Sequence, residues 1–180
     1  MKLLTKRLHI RPITTMDYND LCDYGCDEET GKYMMYWPKT KEEIIHFLET
    51  STKAMNAEKP NWYEFAVELK AETKMIGNIT LIIKKEYIEI GWISNKNYWN
   101  KGYMTEAVRE ILDYAFRVLE PSQIIATCTA KNIGSYRVME KCGMQRIKEE
   151  PHQVCLIRGQ QVVYDKLTYA ITSPKGIVWE

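Results

Sequence analysis

The sequence lacks the features that mark several large classes of protein. Its 25 Lys and Arg nearly balance its 24 Asp and Glu, so a formal net charge of +1 offers no broad basic surface to nucleic acid or to an anionic membrane. No apolar run approaches the roughly 18 residues of a membrane-spanning helix, and the segment Met1–Arg7 is too short and too polar for a signal peptide. We therefore expect a cytoplasmic protein with no nucleic-acid or membrane partner.

Cysteine gives no sign of a metal site. The chain has five cysteines, an odd number, and no Cys-x-x-Cys pair. Cys22 and Cys26 lie one helical turn apart, but no second pair or histidine cluster completes a zinc site. Reduced thiols are the simplest state, which agrees with a cytoplasmic location. We predict that the protein binds no metal.

The chain also lacks internal repeats, low-complexity segments and linkers. At 180 residues and 45% hydrophobic composition, it is long enough for one domain with a sizeable core. We predict a single domain over residues 1–180, with its core at about 5–171 and a loose tail at 173–180.

What the chain does contain is a series of segments with strand or helix periodicity. The predicted strands are Leu8–Arg11, Trp62–Leu69, Met75–Ile83, Tyr87–Ser94, Gln123–Thr129, Arg146–Glu149, Val154–Arg158 and Gln161–Ile171. The predicted helices begin after Thr14 or Thr15, after the Thr40–Glu43 capping box, near Ala107 and after Asn132. Three antiparallel strands followed by a strand–helix–strand unit predict an α+β fold, with a mixed central sheet of about seven strands flanked by helices.

The stretch from Tyr87 to Leu119 organises this pattern. Its strand runs into a tight loop with one glycine, Gly102, and then into a long amphipathic helix. A strand that feeds a helix in this way presents unpaired N–H groups and the positive end of the helix dipole to one spot. That spot favours anions, above all phosphates.

The loop resembles the acyl-CoA pyrophosphate loop of the GNAT superfamily of N-acetyltransferases. The segment Trp99–Ala107 follows the family pattern Gln/Arg-x-x-Gly-x-Gly/Ala with two departures. Trp99 stands at the Gln/Arg position, and Met104 stands at the second small position. The Tyr-x-Thr-Glu-Ala continuation resembles the Rim-type branch, which includes the ribosomal-protein N-terminal acetyltransferases.

A second motif follows in the order that the family requires. The segment Asn132–Met144 resembles the family's Asn-x-x-Ser helix, which ends in Glu-Lys-x-Gly-Phe. The residues alone also predict a capped helix, with Asn132 at its start and a left-handed Gly143 at its end. With both motifs in place, the chain is identified as a member of the GNAT superfamily over about Thr5 to Ile171.

The resemblance implies transfer of an acetyl group from acetyl-CoA to a primary amine, by direct attack in a ternary complex. The acceptor would be a protein N-terminus or a small-molecule amine. Backbone N–H groups of the loop would hold the pyrophosphate, and the end of the organising strand would pair with pantetheine. The cofactor-binding residues implied are Ile93, Trp99, Asn100, Lys101, Gly102, Tyr103, Met104, Thr105, Asn132 and Ser135.

The catalytic residues follow from the same resemblance. Met139 stands where many members have the tyrosine that protonates the leaving thiolate, so Ser135 is the predicted acid and Tyr136 the reserve. Glu89, on the organising strand, is the predicted base, with deprotonation through solvent as the alternative. The N-terminal helices would wall the acceptor groove, which brings in Tyr33 and the Tyr36–Trp37 pair.

Two other functions fit parts of the sequence. A non-catalytic acyl-CoA-binding module would account for Met104 and Met139, and an acetyl-transfer assay separates it from an enzyme. A doubly wound nucleotide-binding domain is disfavoured because Gly-x-Gly-x-x-Gly is absent and antiparallel strands come first. Exposed strand edges in this architecture also leave room for a homodimer.

Overall fold

A computed structural model describes residues 2–34, 38, 40–157 and 159–172. Its strands all join one sheet in the order β1-β2-β3-β4-β5-β6-β8-β7. These strands are β1 (Leu3–Leu4), β2 (Leu8–Pro12), β3 (Trp62–Leu69), β4 (Lys74–Ile83), β5 (Ile88–Ser94), β6 (Gln123–Thr129), β7 (Gln145–Ile157) and β8 (Gln160–Thr172). Neighbouring strands are antiparallel except β5 and β6, which run parallel. The predicted mixed sheet is confirmed, with eight strands in the described residues rather than about seven.

Helices cover both faces of the sheet, as the α+β prediction required. They are α1 (Tyr18–Gly25), α2 (Glu28–Gly31), α3 (Lys41–Met55), α4 (Tyr103–Tyr114) and α5 (Ile133–Lys141). One hydrophobic cluster joins the sheet to α4 and α5 through residues such as Val108 and Met139, and a second joins it to α1 and α3 through Leu21 and Leu48. No helix in the described ranges has the length and apolar character needed to cross a membrane.

Local capping signals formed as the sequence predicts. The Thr40 hydroxyl accepts from the Glu43 N–H at 3.2 Å, and the Glu43 carboxylate accepts from the Thr40 N–H at 3.3 Å. At the other predicted start, Thr14 and Asp17 form a similar box around a single 3₁₀ turn, and α1 follows it. These pairs satisfy N–H groups that helix starts leave without partners.

Some boundaries differ from the sequence prediction. Arg146–Glu149 and Val154–Arg158 were expected as two strands, but Gln145–Ile157 is one strand with register shifts. Its backbone absorbs the intervening residues as bulges, with His152 at a left-handed φ of 53°. Arg158 and the predicted tail at 173–180 lie outside the described residues.

The start of α4 also differs from the periodicity. The helix begins at Tyr103, four residues before the first apolar position that the pattern detects at Ala107. Its first turn is half-buried, and polar contacts from Arg7 to Glu106 hold it, together with the packing of Tyr103 and Met104, which the apolar spacing from Ala107 does not include. The helix ends in a π-helical turn over Ala115–Leu119.

The feature that positions the site is a gap within the sheet. The parallel strands β5 and β6 pair at only two positions, Ile88 with Ile124 and Glu89 with Ile125. Beyond these pairs the strands part, while β6 stays paired with β8 along its whole length. The carboxyl-terminal half of β5 therefore carries backbone groups on one side that no strand satisfies.

Candidate functional site

The loop that follows β5 turns the chain directly into α4. Gly102 is the N-cap of α4 with a left-handed φ of 76°, and Asn100 is left-handed with a φ of 58°. Because Gly102 has no side chain, no side-chain oxygen accepts from the first N–H groups of α4. These N–H groups also have no partner within the helix. The loop therefore presents backbone donors and the positive end of the α4 dipole at the end of β5.

A buttress from the turn between β1 and β2 fixes this loop. Arg7 donates from Nη1 to the Lys101 carbonyl at 2.9 Å and from Nε to the Glu106 carboxylate at 2.6 Å. Its guanidinium also lies 4.3 Å from the centre of the Tyr103 ring. Burial alone would raise the pKa of Glu106, but hydrogen bonds from Thr5 and Arg7 outweigh it and lower that pKa.

Three other side chains of the loop, those of Trp99, Lys101 and Met104, contact neighbouring parts of the protein. The Trp99 indole donates to the Ser94 carbonyl at 2.8 Å and so ties the loop back to β5. The Lys101 ammonium lies 5.3 Å from the centre of the Tyr98 ring. Met104 packs against the core, and its Cε is 3.0 Å from where a Cβ on Gly77 would stand.

The second motif forms the start of α5 beside the loop. The Asn132 side chain accepts from the Ser135 N–H at 3.1 Å, which confirms it as the N-cap. At the other end, Gly143 is left-handed with a φ of 79°. The Gly143 N–H bonds Glu140 and the Met144 N–H bonds Met139, which is the Schellman pattern.

The Ser135 hydroxyl forms a hydrogen bond with Cys128 on β6, a cysteine to which the sequence alone gave no role. Burial raises the pKa of Cys128 to about 11, and a hydrogen bond with Ser135 opposes that rise only in part. Cys128 is therefore a thiol rather than a thiolate near neutral pH. Cys128 lines the cavity described next, whereas Ser135 does not line it and lies behind Cys128. Tyr136 instead packs against the hydrophobic core, with Arg137 over its ring.

A cavity of about 820 Å³ opens at the gap between β5 and β6. Its walls come from both strands, from α3 and from the β7–β8 hairpin. Aromatic and aliphatic side chains dominate them, among them Tyr33, Phe47, Trp62, Ile82, Trp92 and Tyr164. A large and mostly apolar cavity with a few polar groups is typical of a small-molecule site. Of the predicted groove residues, Tyr33 lines the cavity, while Tyr36 and Trp37 lie outside the described residues.

Glu89 and Ile93 both line this cavity, on the same face of β5. Glu89 is half-buried, and the described residues give it no ion pair with a lysine or arginine. The structure thus brings the predicted base to the cavity. The predicted loop lies at the end of the same strand.

Sequence reasoning missed a buried carboxylate beneath the cavity. Glu64 is fully buried on β3 and accepts hydrogen bonds from Trp62, Asn78 and Thr80. Burial raises its pKa, although the three hydrogen bonds act in the opposite direction. The only sequence signal was its position, because it alternates with the inward residues Tyr63 and Phe65 and therefore faces the opposite side of the sheet. Among the described residues, no group of three or more His, Cys, Asp or Glu is placed to hold a metal ion.

Comparison with known proteins gives a consistent result. The family described as acetyltransferase (GNAT) domain matches residues 7–145. A Bacillus subtilis (strain 168) protein named uncharacterized N-acetyltransferase YnaD is 39% identical over 173 residues, which cover 95% of this chain and 96% of that protein.

Solved structures extend the comparison to the fold. The acetyltransferase (GNAT family) from Bacillus anthracis is 32% identical, with a TM-score of 0.84, and the match covers 97% of this chain and 100% of that one. The microcin C7 self-immunity acetyltransferase MccE, solved with acetyl-CoA and AMP, has a TM-score of 0.80 with 93% of each chain covered. At 18% identity, this second likeness concerns the fold alone.

Proposed function

Because the chain belongs to the GNAT family of acetyltransferases, we propose that it moves an acetyl group from acetyl-CoA to a primary amine by direct attack in a ternary complex. The observation that carries this proposal is the parting of β5 and β6 beyond Glu89, with α4 and α5 both starting at the open end. The opening combines unpaired strand backbone and two helix starts with an apolar cavity. One thioester and one amine can meet there.

The residues at the opening fit acetyl-CoA. Backbone N–H groups of Asn100–Thr105 would hold the pyrophosphate, since they lie at a helix start capped only by glycine. The Ile93 end of β5 would pair with the pantetheine arm as an added strand would, and Asn132 would orient that arm. When bound, acetyl-CoA supplies the thioester whose C–S bond breaks as the C–N bond to the amine forms.

Two side chains move the protons of this exchange. Glu89 takes one proton from the amine, directly or through a water molecule, and Ser135 gives one to the departing sulfur. The amine thus loses one proton and the sulfur gains one, so the products are an N-acetyl amine and the CoA thiol. The packing of Tyr136 against the core supports Ser135 as the acid rather than Tyr136. An N-terminal amine with a pKa of about 8 needs only modest help from a base.

The acceptor is a protein N-terminus or a small-molecule amine. The Tyr103–Ala107 segment supports a place in the Rim-type branch, where both kinds of acceptor occur. Five free cysteines, of which Cys142 is buried with a pKa raised to about 12, support a cytoplasmic location.

An acetyl-transfer assay tests this function. Acetyl-CoA is offered with alanine- and serine-started peptides, polyamines and simple aromatic amines, and the release of CoA thiol is followed together with the mass of the acceptor. We expect transfer to at least one primary amine, and a loss in kcat of about 10²-fold or more for Ser135→Ala and Glu89→Gln. Glu86→Gln, which changes an exposed carboxylate just before β5, should retain full activity.

The other outcomes have definite meanings. Binding of acetyl-CoA without transfer to any amine would leave the non-catalytic acyl-CoA-binding module. Full activity in Ser135→Ala or in Glu89→Gln would remove that residue from the mechanism while leaving the reaction in place.

A further inference from the structure

Three polar side chains that line the cavity donate hydrogen bonds to one buried carboxylate, Glu64. Glu64 accepts from Asn78 Nδ2 at 2.6 Å, from Thr80 Oγ1 at 2.8 Å and from Trp62 Nε1 at 3.0 Å. The side-chain oxygen of Asn78 in turn accepts from the Tyr24 hydroxyl at 2.8 Å. Three converging donors fit the ionised form of Glu64, which can only accept.

This network determines what Thr80 offers to the cavity. A hydroxyl has a single hydrogen, and Thr80 gives its hydrogen to Glu64, so only oxygen lone pairs remain for a ligand. Thr80 is half-buried and lines the cavity. Directly across from it on β5 is Gly91, which is exposed, and a Cβ added there would meet no atom within 4 Å. The Thr80 oxygen therefore borders open space.

A second acceptor group borders the same space. Glu89 lies two residues before Gly91 on β5, and alternate residues of a strand share one face. Glu89 and Thr80 both line the cavity, on adjacent strands, around the open position at Gly91. A group with several N–H donors and no acceptor matches this surface, and a primary ammonium is such a group.

The charges of the cavity are separated in a way that supports the same orientation. Its two carboxylates, Glu64 and Glu89, come from β3 and β5. Two of its lysines come from the β6–β8 side. Lys131 follows β6, and Lys166 on β8 is paired with Thr129 on β6. A third, Lys32, follows α2 and lies over the Tyr33 ring. Strands β3–β5 thus carry both carboxylates of the cavity and none of its lysines.

We propose that Thr80 is the binding residue for the acceptor amine and that Glu64 is its positioning residue. Thr80 Oγ1 accepts a hydrogen bond from the amine, and Glu64 holds the hydroxyl in its accepting orientation. Phe47 and Trp62, whose ring centres are 6.0 Å apart on the cavity wall, pack against the body of the acceptor. The acceptor class is therefore a primary amine on a short apolar or aromatic stem. This inference rests on the proposed function, since it concerns the amine of that reaction.

A model amine tests the subsite without the natural acceptor. Phenethylammonium chloride and its uncharged counterpart 2-phenylethanol are titrated separately into the isotopically labelled protein, and backbone amide shifts are followed by NMR. We expect saturable shifts at Thr80 and Gly91 with the amine, and affinity at least roughly tenfold higher than for the alcohol. Thr80→Val keeps the shape and removes the oxygen, so it should lower this preference severalfold, with the remainder due to the Glu89 carboxylate. Thr80→Ser should retain the full preference.

Glu64→Gln tests the positioning role. In this variant the side-chain amide at position 64 has only one oxygen to accept hydrogen bonds, and its NH₂ group can only donate. The Thr80 hydroxyl can then turn its hydrogen toward the cavity. The preference for the amine over the alcohol should then fall severalfold even though the Thr80 side chain is intact. A merely structural role for Glu64 would lower the melting temperature and leave that preference unchanged. If Glu64→Gln does not fold, the Thr80→Val and Thr80→Ser pair still decides the central point.

The overturning results are clear. Equal affinity for amine and alcohol, an absence of saturable shifts, or a preference that is undiminished in Thr80→Val would each overturn the subsite. Acetyl-CoA calorimetry on the same samples separates this failure from that of the proposed function. If the wild type and Thr80→Val bind acetyl-CoA with affinities within about twofold of each other, the cofactor site is intact in both. A failure of the amine subsite then leaves the proposed function standing.

Discussion

At the scale of single residues, Gly77 and Met104 explain one departure from the family's loop pattern. Met104 replaces a small residue, and its side chain occupies space above β4 that Gly77 leaves free. A Cβ at Gly77 would lie 2.6 Å from the Ile93 carbonyl and 3.0 Å from Met104 Cε. The large residue therefore packs inward, and the loop backbone can keep the shape that a small residue would give it.

This pairing predicts the effect of one added methyl group. We expect Gly77→Ala to lower the free energy of unfolding by about 1–3 kcal/mol, because the Ile93 backbone cannot move without disturbing β5. Gly91→Ala is the control, since its Cβ meets open space, and it should change stability by no more than about 0.5 kcal/mol. Urea denaturation measures both. Equal losses for the two variants would contradict this explanation.

Met104→Ala in the Gly77→Ala background refines the test. It removes the contact at 3.0 Å but leaves the closer one with the Ile93 carbonyl. Because Met104 also packs against the core, Met104→Ala is destabilising in its own right. We therefore expect Met104→Ala to cost less stability in the Gly77→Ala background than in the wild type. Equal costs in the two backgrounds would show that the contact with Met104 contributes nothing to the loss in Gly77→Ala.

Glu64 predicts how stability depends on pH. Burial raises its pKa above the ordinary value of 4.5, so the folded state binds this proton more tightly than the unfolded state does. The free energy of unfolding should then fall as the pH rises from the unfolded pKa through the folded pKa. Carboxylates whose pKa is lowered, such as Glu106, change stability in the opposite sense in both proteins. In denaturant curves between about pH 4 and about pH 8, the stability of the wild type relative to Glu64→Gln should therefore fall. Parallel curves for the two proteins would mean that Glu64 does not titrate in this way.

At the scale of elements, the turn between β1 and β2 supports the start of α4 through one arginine. Arg7 bonds the Lys101 carbonyl and the Glu106 carboxylate, so it holds both sides of Gly102. We expect Arg7→Met to weaken acetyl-CoA binding by roughly fivefold to tenfold, the loss of one or two charge-assisted hydrogen bonds that shape the loop.

Arg117→Met is the matched control for that variant. Arg117 pairs with Asp113 at 2.7 Å toward the far end of the same helical segment, and its side chain is 62% exposed. Exposed pairs of this kind contribute little, so acetyl-CoA affinity should stay unchanged. Calorimetry measures both variants. Equal affinities for Arg7→Met and Arg117→Met would exclude the supporting role of Arg7.

The gap between β5 and β6 gives a second prediction at this scale. Amides of Ile90–Ser94 that face β6 have no partner strand and should exchange rapidly with solvent. Addition of CoA should protect them, because the pantetheine arm would pair with this backbone. Amides of β3, which lies between β2 and β4, serve as the reference and should keep their protection in both states. Unchanged exchange in β5 at saturating CoA would contradict the pairing.

At the scale of the whole molecule, the sequence predicted what depends on local order. The α+β architecture followed from the strand periodicity, and the two capped helix starts followed from Thr40 and Asn132, because each cap needs only residues within one turn. The edge strand β7 was predicted as two strands, whereas the sheet accommodates the residues between them, Pro151 among them, in a bulge. The homodimer that exposed strand edges would allow stays a prediction.

The rest depended on contacts between distant positions. Glu64 reaches Asn78 and Thr80 across 14 and 16 positions, and periodicity does not show which residue of a strand lies beneath a cavity. Arg7 and Glu106 are separated by 99 positions, and nothing near either residue indicates the pair. The start of α4 was placed too late for the same reason, since its first turn depends on contacts with the distant residue Arg7 as well as on core packing.

The central claim is that the loop around Gly102 binds the pyrophosphate of acetyl-CoA, and calorimetry tests it most directly. Gly102→Arg is compared with Gly159→Arg, because Gly159 is also left-handed, with a φ of 79°, but lies in the β7–β8 turn. Both variants carry the same kind of backbone strain, so only the position differs. We predict micromolar binding of acetyl-CoA and CoA by the wild type and by Gly159→Arg, and none by Gly102→Arg. No binding by the wild type, or undiminished binding by Gly102→Arg, would contradict the claim.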